Sequence, residues 1–269
     1  FFTQAMNQSV RERVTIENAL NLAIERGECL LHYQPQVDCR SGEVIGMEAL
    51  IRWQHPQRGL IAPDRFITIA EETGLIVPIG EWVLGEACRQ ARRWQLGGQP
   101  GLRISVNLSA RQFQQRDLSE RISTMIRASG INPASLELEL TESMLMIDPD
   151  QATAVLRQLA AAGVKMAIDD FGTGYSSLAY LKRFPVTRLK IDRSFVHDLS
   201  IDTNNAAIVD AIVAMATSLK MEVIAEGVET ITQLNYLEAH GCHAIQGYYY
   251  SPPVVAESFT RFHYSRRAG

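Results

Sequence analysis

The sequence has few features of a membrane protein or of a disulfide-bonded secreted protein. Its 269 residues contain no apolar run near the roughly 18–20 residues that span a bilayer. Only four cysteines occur, at positions 29, 39, 88 and 242 and without a CxxC pair, so we expect free thiols in a reducing compartment. The N-terminus has no basic region followed by an apolar block, and we expect no signal peptide there.

The charge balance argues against one class of partner. The 26 Lys and Arg residues are outnumbered by 30 Asp and Glu residues, which gives a formal net charge of −4. Because sequence-independent binding to a nucleic acid duplex depends on a basic excess, we expect no such binding. With 46% hydrophobic and 21% charged residues, the composition is typical of a globular protein with a substantial core.

Short apolar, β-branched runs alternate with helical segments along most of the chain. The predicted strands lie near 29–35, 44–51, 102–108, 136–141, 164–169, 187–192, 221–226 and 243–248. The predicted helices are 63–72, 79–95, 117–129, 150–162, 204–220 and 231–240. This alternation favours an α/β protein with a TIM-like (β/α)8 barrel, and a doubly wound sheet is the alternative.

The two ends of this pattern differ from a simple repeat. Residues 37–42 are too few for a crossover helix, so we expect the first strand to form a hairpin with the second and to run antiparallel to it. Residues 1–26 are expected to form a linker or helix from a preceding domain, with Ser9 and Glu12 as a capping box. The barrel domain is then 27–262, and 263–269 form a C-terminal tail. Since the sequence does not begin with Met, we expect it to be part of a longer protein.

Polar residues lie in or at the ends of the predicted strands from the second onward. They are Glu48, Asn107, Glu139, Asp169 with Asp170, Lys190, Glu226 and Gln246. Any one of these residues, taken alone, could be a helix cap or a surface charge. The carboxyl ends of parallel barrel strands, however, all face one mouth, where the carboxylates should converge. Divalent cations relieve the repulsion among such carboxylates. An all-oxygen ligand set favours Mg²⁺ or Mn²⁺, and Asp169 could bridge two ions.

Eight short motifs occur in a fixed order along the chain. They are Tyr33-Gln34-Pro35-Gln36, Glu48-Ala49-Leu50, Asn107-Leu108-Ser109, Glu139-Leu140-Thr141-Glu142-Ser143, Asp169-Asp170-Phe171-Gly172-Thr173-Gly174-Tyr175-Ser176-Ser177, Leu189-Lys190-Ile191-Asp192, Glu226-Gly227-Val228-Glu229 and Gln246-Gly247-Tyr248. Over about residues 15–260 the sequence resembles the EAL-domain phosphodiesterases, which hydrolyse the bacterial second messenger cyclic di-GMP. The resemblance implies a barrel with an antiparallel first strand and two Mg²⁺ or Mn²⁺ ions.

The resemblance also assigns roles to individual residues. The implied metal ligands are Glu48, Asn107, Glu139 and Asp169 for one ion, and Asp169, Asp170 and Glu226 for the other. The implied catalytic residues are Lys190, which would polarise the attacking water, with Glu48 and Glu226. The implied substrate contacts are Gln34, Leu50, Arg52, Asp192 and Gln246, and Asp192 would also support Lys190. Glu142 and Glu229 would anchor the ligands, and the loop 171–177 would link the metals to a dimer interface, with Gly172 and Gly174 permitting two conformations.

The implied reaction is hydrolysis of one phosphodiester of cyclic di-GMP to linear pGpG by a two-metal mechanism, with Ca²⁺ as an inhibitor. A catalytically silent receptor for cyclic di-GMP is the alternative, although receptors of this kind typically lack one or more metal-binding acids that this chain retains. A scaffold barrel without ligand is a third possibility. Pro252 stands where family members often have a basic residue, which leaves one peripheral contact open.

The expected partners also follow from the resemblance. Residues 1–7 are similar to the end of a GGDEF domain, so we expect a covalently linked GGDEF or sensor domain. We further expect a homodimer, a cytoplasmic location and no membrane contact by this domain. Membrane attachment of the full-length protein is left open.

Overall fold

Alternation of inward and outward side chains along short strands builds a closed barrel. The computed structural model describes residues 4–174, 178–199 and 201–258, with the backbone alone for 4–12 and Leu178. Within these ranges the strands are β1 Cys29–Asp38, β2 Val44–His55, β3 Gly59–Ile61, β4 Arg103–Asn107, β5 Leu136–Thr141, β6 Lys165–Phe171, β7 Arg188–Ile191, β8 Glu222–Ala225 and β9 Ala244–Gln246. The order around the barrel is β1-β9-β8-β7-β6-β5-β4-β2, and pairing of β1 with β2 closes it.

The first strand is reversed relative to the rest of the barrel. β1 pairs antiparallel with β2, where Gln34 lies opposite Glu48, and antiparallel with β9, where Gln36 lies opposite Gln246. The pairings from β2 through β4 to β9 are parallel. The closed barrel with an antiparallel first strand is therefore confirmed, and the doubly wound sheet is excluded. β3 was not predicted; among the described strands it pairs with the end of β2 alone.

Helices cover the outside of the barrel. In the described ranges they are α1 Gln4–Ala23, α2 Ile67–Thr73, α3 Ile76–Leu96, α4 Ala110–Phe113, α5 Leu118–Ser129, α6 Glu142–Met146, α7 Pro149–Ala161, α8 Leu178–Leu181, α9 Arg193–His197, α10 Thr203–Ser218 and α11 Ile231–Ala239. A 3-10 turn at Pro63–Arg65 precedes α2. None of the helices in the described part of the chain has the length and apolar character that a membrane crossing requires.

The N-terminal helix corrects one prediction. Helix α1 is already formed at Gln4, so Ser9 lies inside the helix and cannot cap its start. The capping box proposed for Ser9 and Glu12 is therefore wrong. The helix nevertheless packs against the barrel, because Ile16 and Leu20 are buried in the core.

The barrel interior is polar and its outer face is apolar. On β5, Glu137 and Glu139 point into the lumen, because each forms an ion pair with β7 and β6 lies between these two strands. The alternate residue Leu138 faces outward into the core beneath the helices. The lumen thus contains two polar layers. The floor layer consists of Gln36, Arg103, Ser105, Glu137, Arg188 and Glu222, and the mouth layer lies at the carboxyl ends of the parallel strands.

Candidate active site at the barrel mouth

The structure brings together the polar residues that were predicted from the strand ends. The mouth layer consists of Glu48 on β2, Asn107 on β4, Glu139 on β5, Asp169 and Asp170 on β6, Lys190 on β7, Glu226 just after β8 and Gln246 on β9. Most of these side chains are buried, and Asn107 remains exposed at the rim. Five carboxylates therefore share one end of the lumen.

Lys190 lies at the centre of these acids. Its Nζ donates to Glu139 Oε2 at 2.5 Å, and it lies 2.6 Å from Glu226 Oε1 and 3.0 Å from Asp169 Oδ1. Burial alone would lower the pKa of Lys190, but the carboxylates of Glu139 and Glu226 outweigh it and raise that pKa well above its usual value. Lys190 is therefore protonated and contacts three of the expected metal ligands.

A chain of amides holds Glu48. Its Oε1 accepts from Asn107 Nδ2 and its Oε2 from Gln246 Nε2, both at 2.5 Å. Gln246 Nε2 also donates to Gln34 Oε1 at 3.0 Å, and Gln34 Nε2 donates to the Ser251 carbonyl at 3.2 Å. Two expected metal ligands and two expected substrate contacts thus form one connected network. The part played by Ser251 was not predicted, since a backbone carbonyl leaves no signal in the sequence.

The backbone at the end of β6 separates the two neighbouring aspartates. Asp170 has φ of 52°, a left-handed conformation that Asp tolerates better than most residues. Its N–H donates to Asp169 Oδ1 at 3.0 Å, and its carboxyl group is hydrogen-bonded to Asp192. Asp192 also accepts from the Ser194 N–H at 3.0 Å and so caps α9. In this structure Asp192 contacts the second aspartate, and its predicted support of Lys190 stays a prediction.

The electrostatics of the mouth layer favour bound cations. Burial, followed by the neighbouring Asp169, raises the pKa of Asp170 to about 6. Burial also raises the pKa of Glu226 to about 8, with Asp169 and Glu48 adding to the effect, although Lys190 acts to lower it. A single lysine cannot balance five carboxylates, so these groups either hold protons or share positive ions.

The donor atoms fit a hard divalent cation. Asp169, Asp170 and Glu226 each offer a carboxylate oxygen, and these atoms lie within 4.8 Å of one another. Glu139 binds Lys190 through Oε2, while its Oε1 is buried and accepts no hydrogen bond from any described residue. Oxygen-only donors of this kind suit Mg²⁺ or Mn²⁺ rather than zinc or copper.

The rim next to Glu48 carries the remaining expected substrate contacts. Leu50 and Arg52 follow Glu48 at alternate positions on β2, so the three side chains share the lumen face. Both are half-buried, and Arg52 Nη1 donates to the Ile51 carbonyl at 2.8 Å. Among the described residues no carboxylate forms an ion pair with Arg52, which leaves its guanidinium able to bind an anion.

The residues expected to anchor the ligands have different surroundings. Glu142 is buried at the start of α6, and a Cβ placed on Gly174 would lie 3.4 Å from its carboxylate. Gly172 has φ of 98°, which an L side chain rarely adopts. Tyr175, Ser176 and Ser177 of the predicted loop 171–177 lie outside the described residues. Glu229 is exposed, and its N–H donates to Gln233 Oε1 at 2.8 Å.

The segment after β8 and the segment after β9 pack closely against each other behind the site. A Cβ on Gly247 would lie 2.1 Å from the Val228 carbonyl oxygen, so only glycine fits at this position. This close approach allows two backbone hydrogen bonds. The Val228 N–H donates to the Gln246 carbonyl at 3.2 Å, and the Tyr249 N–H donates to the Val228 carbonyl at 2.9 Å. The segment that carries Glu226 is thereby fixed against the strand that carries Gln246.

The floor layer was not predicted from the sequence. Arg188 Nη1 donates to Glu137 Oε1 at 2.8 Å and to Gln36 Oε1 at 3.0 Å, and all three residues are buried. Arg103 and Arg188 both bind Glu222, and these contacts lower the pKa of Glu222 to about 2 against the effect of its burial. The sequence did contain a signal: Glu137 lies two positions before Glu139 on β5, and Arg188 lies two positions before Lys190 on β7.

Residues 17–253 match the family model of the EAL domain. The chain belongs to the EAL domain family. The expected family is therefore confirmed, and the EAL domain accounts for most of the chain.

Similar EAL proteins are larger than this chain. It is 49% identical over 257 residues to MucR of Pseudomonas aeruginosa, a bifunctional diguanylate cyclase/cyclic di-GMP phosphodiesterase; the match covers 96% of this chain and 38% of MucR. It is 40% identical over 269 residues to the cyclic di-GMP phosphodiesterase PdeR of Escherichia coli, covering 99% of this chain and 40% of PdeR. The chain thus spans well under half the length of these relatives.

A solved structure confirms the fold of the EAL domain. The PaMucR phosphodiesterase in complex with c-di-GMP superimposes with a TM-score of 0.89 at 49% identity, covering 91% of this chain and 99% of that one. The mouth layer therefore belongs to a fold for which a related domain has been solved in complex with c-di-GMP.

Proposed function

We propose that this EAL domain is a phosphodiesterase that hydrolyses cyclic di-GMP to linear pGpG. The observation that carries the proposal is the group of five carboxylates around Lys190 at the barrel mouth, with Asp169, Asp170 and Glu226 able to share a cation. The names of MucR and PdeR as cyclic di-GMP phosphodiesterases support the choice of substrate.

Two divalent cations, Mg²⁺ or Mn²⁺, are proposed as cofactors. Glu48, Asn107, Glu139 and Asp169 would hold one ion, and Asp169, Asp170 and Glu226 would hold the other. When bound, the ions supply Lewis-acid activation of water and neutralise the charge of the phosphate. Ca²⁺ is proposed to inhibit, because its looser coordination is a poor match for a site that needs fixed geometry.

The side chains of this domain bind and orient the reacting groups. Lys190 places a positive charge among the carboxylates, where it would orient the attacking water and stabilise charge that develops on the phosphate. Arg52 would bind a phosphate oxygen at the rim, and Leu50 would contact the apolar part of the nucleotide. Gln34 and Gln246 would fix Glu48 and close the side of the site, and Asp192 would hold Asp170 in place.

The remaining predictions concern the protein beyond the site. We propose that residues 27–262 form the catalytic domain, that 1–26 link it to a preceding GGDEF or sensor domain, and that 263–269 are a tail. The bifunctional name of MucR, and the small share of MucR that the chain covers, support a tandem arrangement. A homodimer, with the loop 171–177 connecting the metals to its interface, is proposed on the family resemblance, as are a cytoplasmic location and anchoring roles for Glu142 and Glu229.

The test is hydrolysis of cyclic di-GMP in Mn²⁺ or Mg²⁺, with pGpG followed by chromatography. Wild type is compared with Glu48→Gln, which keeps the size of the side chain but removes a ligand charge, and with Glu43→Gln at an exposed glutamate as the control. We expect pGpG from wild type and Glu43→Gln, none after chelation, and a loss of at least about 100-fold in Glu48→Gln. Tight binding without product in wild type would instead establish a silent receptor.

A further inference from the structure

An additional polar side chain lies among the expected substrate contacts. His32 on β1 lies directly opposite Leu50 on β2, and directly opposite residues of an antiparallel pair share one face of the sheet. His32 is two residues before Gln34, and Leu30, its other alternate neighbour, lies opposite Arg52. The His32 ring therefore belongs to the same lumen-facing patch as Gln34, Leu50 and Arg52.

The position of the His32 ring is fixed from the side of the C-terminal segment. The ring is half-buried and is hydrogen-bonded to the backbone of Pro253. Pro253 is held beside β1 by its neighbour Val254. The Tyr33 N–H donates to the Val254 carbonyl at 2.7 Å, and the Val254 N–H donates to the Tyr33 carbonyl at 2.9 Å. A ring that donates one N–H to a carbonyl and is neutral has an acceptor at its second nitrogen.

The charge around His32 favours this neutral form. Burial, and then the nearby guanidinium of Arg52, lower the pKa of His32, while the hydrogen bond to Pro253 acts in the opposite direction. Arg52 offers only donors, so it can bind phosphate oxygens but not the donor groups of a nucleotide. The two side chains together provide a donor and an acceptor at the same edge of the mouth.

We propose that His32 is a specificity-determining substrate contact that accepts a hydrogen bond from a nucleotide donor, either a ribose 2′-hydroxyl or the guanine 2-amino group, next to the phosphate bound by Arg52. This inference rests on the proposed function, because it assumes that a guanine dinucleotide binds at the mouth. It adds to the Gln34, Leu50 and Arg52 set a residue that recognises the nucleoside instead of the phosphate.

The test compares His32→Phe, which removes the acceptor, with His32→Gln, which retains one. His197→Gln, at an exposed histidine outside the barrel mouth, is the control, and thermal melting checks that each variant folds. For cyclic di-GMP we expect His32→Phe to raise KM about 3- to 10-fold, the range for one hydrogen bond, with kcat within about twofold. His32→Gln should recover most of this loss.

Two substrate analogues identify the donor. If it is the ribose hydroxyl, the 2′-deoxy analogue should bind wild type and His32→Phe equally; if it is the amino group, the inosine analogue should do so. An unchanged KM in His32→Phe, or full sensitivity to the substitution with both analogues, would overturn the inference.

Wild-type turnover tests the proposed function separately. If wild type has no turnover, the Kd of cyclic di-GMP in Ca²⁺ is compared among the same variants, and absence of binding by wild type overturns both proposals.

Discussion

Asp170 combines a side chain that can bind a cation with a left-handed backbone conformation. Its carboxylate is one of three that can share a cation, and its φ of 52° lies where most L-residues are strained. Asn and Asp occupy this region more readily than other non-glycine residues, because their short polar side chains can hydrogen-bond locally. The chemistry and the backbone at this position therefore both favour aspartate.

Replacement of Asp170 separates these two roles. In chelator, Asp170→Asn should retain the backbone preference, while Asp170→Ala should be less stable than Asp170→Asn by about 1 kcal/mol. Both variants should lose phosphodiesterase activity, because both lose the negative charge of a proposed metal ligand. Urea denaturation and the pGpG assay provide the measurements.

The exposed Asp150 on helix α7 is the matched control for this comparison. At a helical position Ala is the better helix former, so Asp150→Ala should be at least as stable as Asp150→Asn. Equal stability of the two Asp170 variants would show that the backbone conformation at this residue carries no cost.

At the scale of elements, the barrel strands carry two layers of charge that are used differently. The mouth layer has an excess of carboxylates around Lys190. In the floor layer, Arg188 pairs with Glu137 and with Glu222, and Arg103 contacts the same two acids. A buried ion pair offers little net stabilisation against an apolar substitute, but it is costly to break from one side only.

Arg188→Met should therefore destabilise the barrel strongly. Removal of the guanidinium leaves the fully buried carboxylate of Glu137 with Arg103 as its remaining cationic partner among the described residues, and we expect a loss of up to about 3–5 kcal/mol in urea denaturation. The double variant Arg188→Met with Glu137→Leu should recover much of that loss. Arg183→Met, which removes the exposed pair with Asp150, should cost no more than about 1 kcal/mol. A cost this small for Arg188→Met would contradict a structural role for the floor layer.

The same strands show what could be predicted from the sequence. Glu139 and Asp169 were placed at the mouth because each lies toward the end of an apolar run, and the reversed β1 followed from the short connection to β2. The order of β5, β6 and β7 around the barrel follows from the predicted fold, but the contacts of Lys190 could not be predicted, since they depend on strand register and side-chain rotamers. β3 and the short helices α4, α6, α8 and α9 have three to five residues each, too few for a periodic pattern.

At the scale of the whole molecule, cation binding and folding should be linked. The carboxylates of the mouth layer come from strands spread around the barrel, so an unfolded chain cannot present them together. A ligand that binds only the folded state stabilises it by about 2.7 kcal/mol at a concentration 100 times its Kd. The proposed metal site should therefore be visible in the stability of the protein without any substrate.

Titration with Mg²⁺ should raise the melting temperature of wild type, and EDTA should reverse the rise. Asp169→Asn should lose most of this response, because Asp169 belongs to both proposed ligand sets. Asp117→Asn at an exposed aspartate should respond like wild type. An equal response in Asp169→Asn and wild type would place the cation elsewhere on the protein.

The reversed first strand also decides where the chain joins the barrel. In an all-parallel barrel the first strand would begin at the floor, but here β1 begins at the mouth, where Leu30 lies opposite Arg52. Helix α1 ends at Ala23, only a short turn before β1. The chain therefore passes from α1 into the barrel at its open end, directly into the strand that carries His32 and Gln34.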